Sequence, residues 1–169
     1  NDEYPFLEGD IGTTDGPPIP KDEYQSVTNE FIVSHSSAKH CKHQRGSYMV
    51  GALARFNLNY DKLVPAAKDI AAAIGLQPVS KNPYLNTAAQ LIECIHCLED
   101  SIRICEDYKE SGVDHSEAIL VGLNETGCIP VKAGHGVGAV EVPRGILFHA
   151  YDVSEEGKII TANCVIPTG

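Results

Sequence analysis

The sequence predicts an α+β fold, in which one long helix and shorter helices pack on a small antiparallel β-hairpin or sheet. Apolar residues recur at steps of three and four between residues 86 and 111, as they do along one face of a helix. From residue 113 onward, β-branched residues and glycine dominate, which is typical of strands and turns. The 169 residues and 43% hydrophobic content are enough for one globular domain with its own core.

We expect two unequal parts along the chain. Residues 1–30 are polar and interrupted by glycine and proline, so they predict an extended, turn-rich lead-in. Residues 31–169 form the main body, with a helical part at about 45–112 and a β-rich part at about 113–169. The short apolar run FIV at the start of the main body predicts a strand or a buried loop.

The shorter helices are expected in the first half of the main body. The apolar run from Met49 to Leu58 predicts a short helix or strand. The stretch VPAAKDIAAAIGLQP predicts a helix, because Pro65 suits its first turn, alanine favours helix, and Gly75 suits the position just past its end.

The long helix is expected to begin near Asn86, whose side chain can cap it, and to end at Gly112. Glutamate and lysine residues lie off its apolar stripe, so the stripe is expected to face the core. The stripe consists of Ala88, Leu91, Ile95, Leu98, Ile102 and Cys105.

The C-terminal part predicts a β-hairpin. RGILFHAYDV and KIITANCVI have the composition of two strands, and SEEG between them suits a turn in which Gly157 supplies a positive φ. The glycine-rich segment GHGVGA precedes a strand and does not open a helix, so we do not expect it to cradle a phosphate.

Composition and charge exclude several functions. A formal net charge of -10 and a pI of about 5.0 argue against electrostatic binding to nucleic acid or anionic lipid. No apolar run approaches the roughly 20 residues of a membrane span, and the first residues do not resemble a secretory signal. We therefore expect a cytoplasmic protein without nucleic-acid or membrane partners, cut from a longer chain.

The six cysteines are expected to lie reduced and mostly buried as small apolar residues. Cys94 and Cys97 have CxxC spacing, but they fall inside the long helix, where core packing is the simpler interpretation. A small zinc or iron site that adds His40, Cys41 and His43 is an alternative, although this cluster lacks a recognised ligand spacing.

The segment EVPRG is the strongest candidate for chemistry. Pro143 fixes one backbone angle, and Gly145 permits angles that other residues avoid, so Arg144 projects from a stiff base. A guanidinium offers five donors and stays charged at any working pH, which suits a site that holds anionic groups. A structural pair with Glu141 is an equally good interpretation of these residues alone.

At these residues the sequence resembles the large (alpha) subunit of nickel–iron hydrogenases. The family segment Glu-x-Pro-Arg-Gly-x-Leu-x-His is matched from Glu141 through Arg144 to His149, and a Val-x-Pro-Thr-like end is matched by Pro167 and Thr168. The upstream segments HSSAKH, YMVGALARFNLN and NPYLNTAAQLIECIHCLE resemble the cytoplasmic, cofactor-linked branch, which reduces NAD, viologen or deazaflavin or is sulfhydrogenase-like.

The resemblance implies roles for these residues. Arg144 would donate toward an iron-bound cyanide near the place where dihydrogen is split, and Pro143 would belong to the same canopy. The segment Pro167–Thr168 would bind the other cyanide through a main-chain amide and a hydroxyl. The residues expected to support the arginine and the hairpin are Glu141, Gly145 and His149.

The resemblance also implies a cofactor and partners. The parent enzyme would carry a Ni-Fe(CN)2(CO) centre, oxidise H₂ reversibly, and pass electrons to an iron–sulfur small subunit and acceptor-reducing subunits. The family holds its metals by four cysteines in two CxxC motifs, and this chain has neither motif in its family context. We therefore expect no metal ligands here, no activity in this segment alone, and self-association through exposed apolar faces.

Two other interpretations stay open at this point. The chain could be a non-catalytic scaffold or binding module related to hydrogenase, or a small Cys/His metal-binding protein. The coding sequence on both sides would decide the first, and metal analysis of purified protein the second.

Overall fold

The computed structural model describes residue 4 and residues 9–43, 46–115 and 127–168. In these ranges the chain is α+β, as predicted, with four α-helices and three small antiparallel sheets. The helices are α1 (Tyr24–Val27), α2 (Ala52–Asn59), α3 (Pro65–Ala73) and α4 (Asn86–Ser111), with short 3-10 helices at Lys21–Glu23, Tyr60–Lys62 and Pro83–Leu85.

Among the described residues, each strand pairs with strands that lie close to it in sequence. One pair joins β1 (Ile11–Thr13) to β2 (Gly16–Ile19), and another joins β3 (Glu30–Phe31) to β4 (His40–Cys41). The largest sheet is a three-stranded meander in the order β5 (Gly134–Val142), β6 (Gly145–Val153) and β7 (Ile159–Val165).

The structure has two apolar cores. The helical core joins α2, α3 and α4, and its fully buried members include Leu53, Phe56 and Ile92. The sheet core lies on one face of the meander, where the ring of Tyr24 stacks on that of Phe148 with centroids 4.6 Å apart. Tyr4 and Tyr24 lie in these cores, so the predicted lead-in also contributes to the packing.

Helix α3 and the β6–β7 hairpin confirm the predictions made for them. Pro65 opens α3, and Gly75 follows its end with a φ of 71°. The hairpin turn contains Gly157 with a φ of 77°, which favours glycine. The glycine-rich approach to the hairpin is itself a strand, β5, which the sequence did not predict.

The prediction for the buried face of α4 is wrong. The buried residues are Ala89, Ile92, Glu93 and His96, whereas four members of the predicted stripe are exposed: Leu91 (56%), Leu98 (65%), Ile102 (54%) and Cys105. Ala88 and Ile95 lie at the edge of the core. The stripe has the period of a helix, but it lies beside the packed face and touches the core only at its edge. Two polar residues, Glu93 and His96, occupy the packed face, where each has a hydrogen-bond partner.

The prediction that the side chain of Asn86 caps α4 is also wrong. Asn86 is the first residue of α4, but its side chain accepts a hydrogen bond from the backbone N–H of Leu53, 3.1 Å away. Leu53 lies in the first turn of α2, where backbone donors lack partners within their own helix. Asn86 therefore caps α2 and ties the two helices together. Gly112 ends α4 as predicted, with a φ of 78°.

Within the described ranges, no helix combines the length and the apolarity that crossing a membrane would require.

Candidate functional site

Pro143 and Arg144 form the two-residue turn that joins β5 to β6. Val142 pairs with Gly145 at the base of this turn. Proline is favoured at the second position of a β-turn and glycine at the fourth, so the sequence Val-Pro-Arg-Gly suits it. Pro143 and Arg144 are exposed, and Gly145 is buried. Arg144 is thus exposed at the tip of a turn whose last residue, Gly145, is packed in the protein.

A second arginine, Arg55 of α2, holds this turn from inside. Its Nη1 donates to Oε2 of Glu141 at 2.7 Å and to the carbonyl of Val142 at 2.8 Å, and its Nη2 donates to the carbonyl of Pro143 at 3.3 Å. Its Nε and Nη2 donate to the two oxygens of Glu93 at 2.6 and 2.7 Å. These five hydrogen bonds use the five N–H donors of a guanidinium.

The other end of this cluster reaches the start of the chain. The hydroxyl of Tyr4 donates to Oε1 of Glu93 at 2.7 Å, and the ring of Tyr4 packs at 4.8 Å from that of His96. His96 in turn accepts the backbone N–H of Val64 at Nδ1, 3.2 Å away. No buried side-chain nitrogen or oxygen in the described ranges lacks a partner. The cluster joins the helical core to the sheet.

The charges in this cluster do not balance, because two carboxylates share one guanidinium. Burial raises the pKa of Glu141, and nearby Glu93 raises it further, against the opposing effect of Arg55. Burial lowers the pKa of Arg55, but its hydrogen bonds to Glu93 and Glu141 outweigh burial and raise it. Burial and Glu93 raise the pKa of Tyr4, so its hydroxyl stays a donor. Arg55 is therefore a permanent cation at the centre of the cluster.

The N-terminus of α2 closes tightly over the same turn. Gly51 has a φ of 86°, and a Cβ placed on it would lie 3.1 Å from the carbonyl oxygen of Arg144. Both the backbone angle and the close approach favour glycine here. The main chain of the turn is thus bound by Arg55 of α2 and closely approached by Gly51, the residue before that helix.

Pro167 lies beside Gly145, at the base of the turn. A Cβ on Gly145, whose φ is 154°, would lie 3.0 Å from Cβ of Pro167 and 2.5 Å from Cγ2 of Val50. Thr168 follows Pro167 and is exposed. The strand that leads to this segment is held at Ile166, whose backbone N–H donates to Oε1 of Glu30 at 2.6 Å.

Glu30, which accepts the backbone N–H of Ile166, is ionised at neutral pH. Burial alone would raise the pKa of Glu30, but hydrogen bonds from Lys39, 2.9 Å away, and from the N–H of Ile166 lower it overall. The segment beside the turn is therefore anchored by an ionised side chain at neutral pH.

His149 lies on β6 five residues beyond Arg144, roughly 16 Å along the strand. Its Nδ1 is 2.7 Å from the hydroxyl of Tyr151 and 3.5 Å from Sγ of Cys164, which pairs opposite it on β7. His149 is thus a half-buried, hydrogen-bonded residue in the middle of β6. It supports the sheet, and the described structure shows no contact from it to the arginine.

The side chain of Arg144 contrasts with that of Arg55. Within the described ranges its guanidinium donates no hydrogen bond and forms no ion pair. The structural pair of Arg144 with Glu141, which the sequence left open, is not present, because Glu141 pairs with Arg55. Within the described ranges, the five donors of Arg144 are thus unused, and Gly145, the next residue, lies against Pro167.

Sequence reasoning missed Arg55 and its partner Glu93. One signal was available: Arg55 is the charged residue inside the apolar run MVGALARFNL. A charged side chain inside a predicted core element needs a buried partner of opposite charge. The sequence alone does not show which of the 23 acidic residues provides that partner.

The cysteines do not behave as predicted. Cys94, Cys97, Cys105 and Cys128 are exposed and the other two are partly exposed, so the expectation of mostly buried cysteines is wrong. Burial raises the pKa of the Cys97 thiol, which favours its protonated form. No disulfide joins any of the six. Within the described ranges, no three His, Cys, Asp or Glu side chains gather as a metal site would require, so nothing there supports the Cys/His metal-site alternative.

Comparisons with known proteins agree with the resemblance. The chain is 32% identical over 168 residues to sulfhydrogenase 1 subunit alpha of Pyrococcus furiosus, which covers 99% of the chain and 37% of that relative. The chain belongs to the family of hydrogenase subunits. The present chain is also 32% identical over 146 residues to sulfhydrogenase 2 subunit alpha of the same organism. This match covers 86% of the present chain and 33% of the relative. The chain thus spans about a third of the length of these relatives.

A solved structure shares the fold of this hydrogenase homologue. The match is to an NAD⁺-reducing nickel–iron hydrogenase in the H₂-reduced state, with a TM-score of 0.71 and 21% sequence identity. It covers 98% of this chain and 38% of the matched chain. No protein-family model matches the sequence.

Proposed function

We propose that this chain is part of the large subunit of a nickel–iron hydrogenase and supplies the outer, anion-facing wall of its metal centre. The observation that carries the proposal is Arg144, an exposed guanidinium without a partner in the described ranges, held on a packed turn beside Pro167. Homology to hydrogenase subunits over nearly the whole chain supports the reaction class.

The residues at the turn fit the outer face of a Ni-Fe(CN)2(CO) centre. Its cyanide ligands are anionic, and they suit a planar cationic donor and a hydroxyl. Arg144 offers the first and Thr168 offers the second, and both are exposed on neighbouring segments. The residues that would bind the metals themselves, four cysteines in two CxxC motifs of the resembled family, are proposed to lie outside this chain.

Each residue then has a defined task. The metal centre, when bound, supplies the cleavage of dihydrogen into protons and electrons. Arg144 would hold one anionic ligand by charge-assisted hydrogen bonds, which are stronger where water is excluded. Pro143 would shield the site without adding a backbone donor. The main chain and hydroxyl of Pro167–Thr168 would hold the second anionic ligand.

The remaining assignments follow from the same proposal. The complete enzyme would be cytoplasmic and would pass electrons to an iron–sulfur small subunit and on to acceptor-reducing subunits. The exposed apolar residues of α4, Leu91, Leu98 and Ile102, would be covered in that assembly, because such a stripe is unfavourable in water. This chain alone would not turn over hydrogen.

The test is Arg144→Lys in the full-length, metal-loaded enzyme. Lysine keeps the charge but loses the planar fork, so H₂ turnover is expected to fall by about 10- to 100-fold. The matched control is Arg103→Lys on α4, an exposed arginine that pairs with Asp100 and Asp107, and it should leave turnover unchanged. Near-normal turnover in Arg144→Lys would overturn the proposed role.

A further inference from the structure

We propose that Arg55 is a positioning residue for Arg144: it fixes the main chain of the turn so that the second guanidinium is presented at a set place and angle. This inference rests on the proposed function for the purpose of Arg144, but its structural part can be tested separately. Arg55 would touch neither substrate nor metal centre.

The contacts of Arg55 act on the backbone that carries Arg144. The carbonyl of Pro143 belongs to the peptide group whose nitrogen is that of Arg144, and Arg55 donates to this carbonyl at 3.3 Å. Arg55 also donates to the preceding carbonyl, that of Val142, at 2.8 Å. Two consecutive peptide groups are thus oriented by one planar cation, which limits rotation of the turn.

Arg55 is itself immobilised on the opposite side. Both oxygens of Glu93 bind its Nε and Nη2 in a bidentate arrangement, and Glu93 also accepts from Tyr4. The Arg55 side chain is only 3% exposed. A guanidinium with all its donors engaged and almost no exposure to solvent has little freedom to rotate, so its contact with Glu93 links the turn to α4.

Gly51, whose carbonyl accepts the backbone N–H of Arg55 at 3.0 Å, comes close to the next peptide group of the turn. A Cβ on Gly51 would lie 3.1 Å from the carbonyl oxygen of Arg144 and 3.5 Å from that of Pro143. The backbone of the β-turn therefore lies against the start of α2, which approaches it through Gly51 and binds it through the side chain of Arg55.

The structural part is tested by hydrogen exchange on the full-length protein. Arg55→Lys keeps the charge but cannot reach both carboxylates and both carbonyls at once. Amide exchange in the peptide that covers residues 141–147 is expected to rise by about tenfold or more, while exchange around Phe148–Ala150 in the sheet core stays the same. Arg103→Lys is the control and should change neither.

A gentler variant keeps the test decisive if Arg55→Lys does not fold. Glu141→Gln retains an acceptor of the same shape and weakens only the contact of Arg55 near the turn, and it should show the same local increase at smaller size. An equal rise in every peptide, or no rise at residues 141–147 in a folded variant, would overturn the positioning role, because either result would make Arg55 only a structural charge.

A spectroscopic readout connects the position of the turn to the metal centre. In the metal-loaded enzyme, Arg55→Lys is expected to shift the infrared cyanide bands in the same direction as Arg144→Lys, by a smaller amount. If Arg144→Lys leaves the bands and turnover unchanged while Arg55→Lys loosens the turn, the proposed function fails and the positioning contact stands. If Arg144→Lys lowers turnover and the turn of Arg55→Lys stays rigid, the positioning role fails alone.

Discussion

Two arginines meet at one turn of this molecule, and the structure uses them in opposite ways. Arg55 is buried, and five hydrogen bonds use its donors. Arg144 is exposed and has no partner in the described ranges. The same side chain can therefore have different structural roles. A buried guanidinium surrounded by acceptors stabilises the fold, whereas an exposed one without acceptors nearby keeps its donors available.

The buried arginine is favourable only because its surroundings are complete. Burying a cation costs on the order of several kcal/mol, because the cation loses its contacts with water. Hydrogen bonds and opposite charges can offset this cost. Glu93, Glu141 and two carbonyls provide these contacts around Arg55. The exposed arginine needs no such compensation, and it keeps its donors available.

The largest expected effect comes from removing the buried guanidinium. Arg55→Met fills similar volume but leaves Glu93 and Glu141 without their cation, so the free energy of unfolding is expected to fall by about 3–5 kcal/mol. Urea titration of the full-length protein measures this loss.

The control for this prediction is Arg103→Met, because Arg103 lies on the exposed part of α4 and contacts Asp100 and Asp107 at the surface. Its change should stay within about 0.5 kcal/mol. Equal losses in the two variants would contradict the distinction between buried and exposed arginines.

The next largest effect is expected at Gly145, the buried base of the turn. Gly145→Ala places a methyl group 2.5 Å from Val50 and 3.0 Å from Pro167, at a φ that disfavours alanine, so a loss of about 1–3 kcal/mol is expected. Gly138→Ala in β5 is the control, since a Cβ there has nothing within 4 Å. A thermal unfolding series that ranks Gly138→Ala as the more damaging variant would count against this packing.

The elements with local signals could be predicted from the sequence. Pro65 and Gly75 mark the ends of α3 because proline suits a first turn and glycine suits a positive φ, and both effects act over a few residues. Gly157 marks the β6–β7 turn in the same way. The resemblance selected Pro143, Arg144 and Pro167 from the sequence. Pro167 lies beside Gly145 at the base of the turn, and the roles given to these residues stay predictions.

Two features could not be predicted, because they depend on residues distant in sequence: which face of α4 is buried, and what Arg55 contacts. The apolar stripe through Leu91 and Leu98 has the period of a helix, but a period does not say what covers it. Glu93 lies on the packed face because Arg55, 38 positions away, binds it there. The strand β5 was missed because glycine, at alternate positions 134, 136 and 138, has low strand propensity.

A smaller effect is expected from pH, through the second carboxylate of Arg55. The pKa of Glu141 is raised in the folded state, mainly by burial, so the folded protein binds this proton more tightly than the unfolded chain. Between the ordinary glutamate pKa and the raised one, the contribution of Glu141 to stability therefore decreases as pH rises. Glu141→Gln removes this contribution.

The measurement is the difference in unfolding free energy between the wild type and Glu141→Gln at several pH values above 4.5. As the pH falls through this window, the unfolding free energy of the wild type is expected to increase relative to that of Glu141→Gln. A difference that runs the opposite way would mean that Arg55, and not burial, dominates the protonation of Glu141. Glu30 does not interfere, because it is present in both proteins.

The smallest expected effect on stability is at the arginine proposed to be functional. Arg144→Ala removes a side chain with no hydrogen bond or ion pair in the described ranges, so the free energy of unfolding should change by less than about 0.5 kcal/mol. A loss close to that of Arg55→Met would show that Arg144 supports the fold, and the contrast between the two arginines would disappear. If the fold is unchanged while hydrogen turnover falls in the metal-loaded enzyme, the two roles are separated, because the turn then keeps its shape after losing the group it presents.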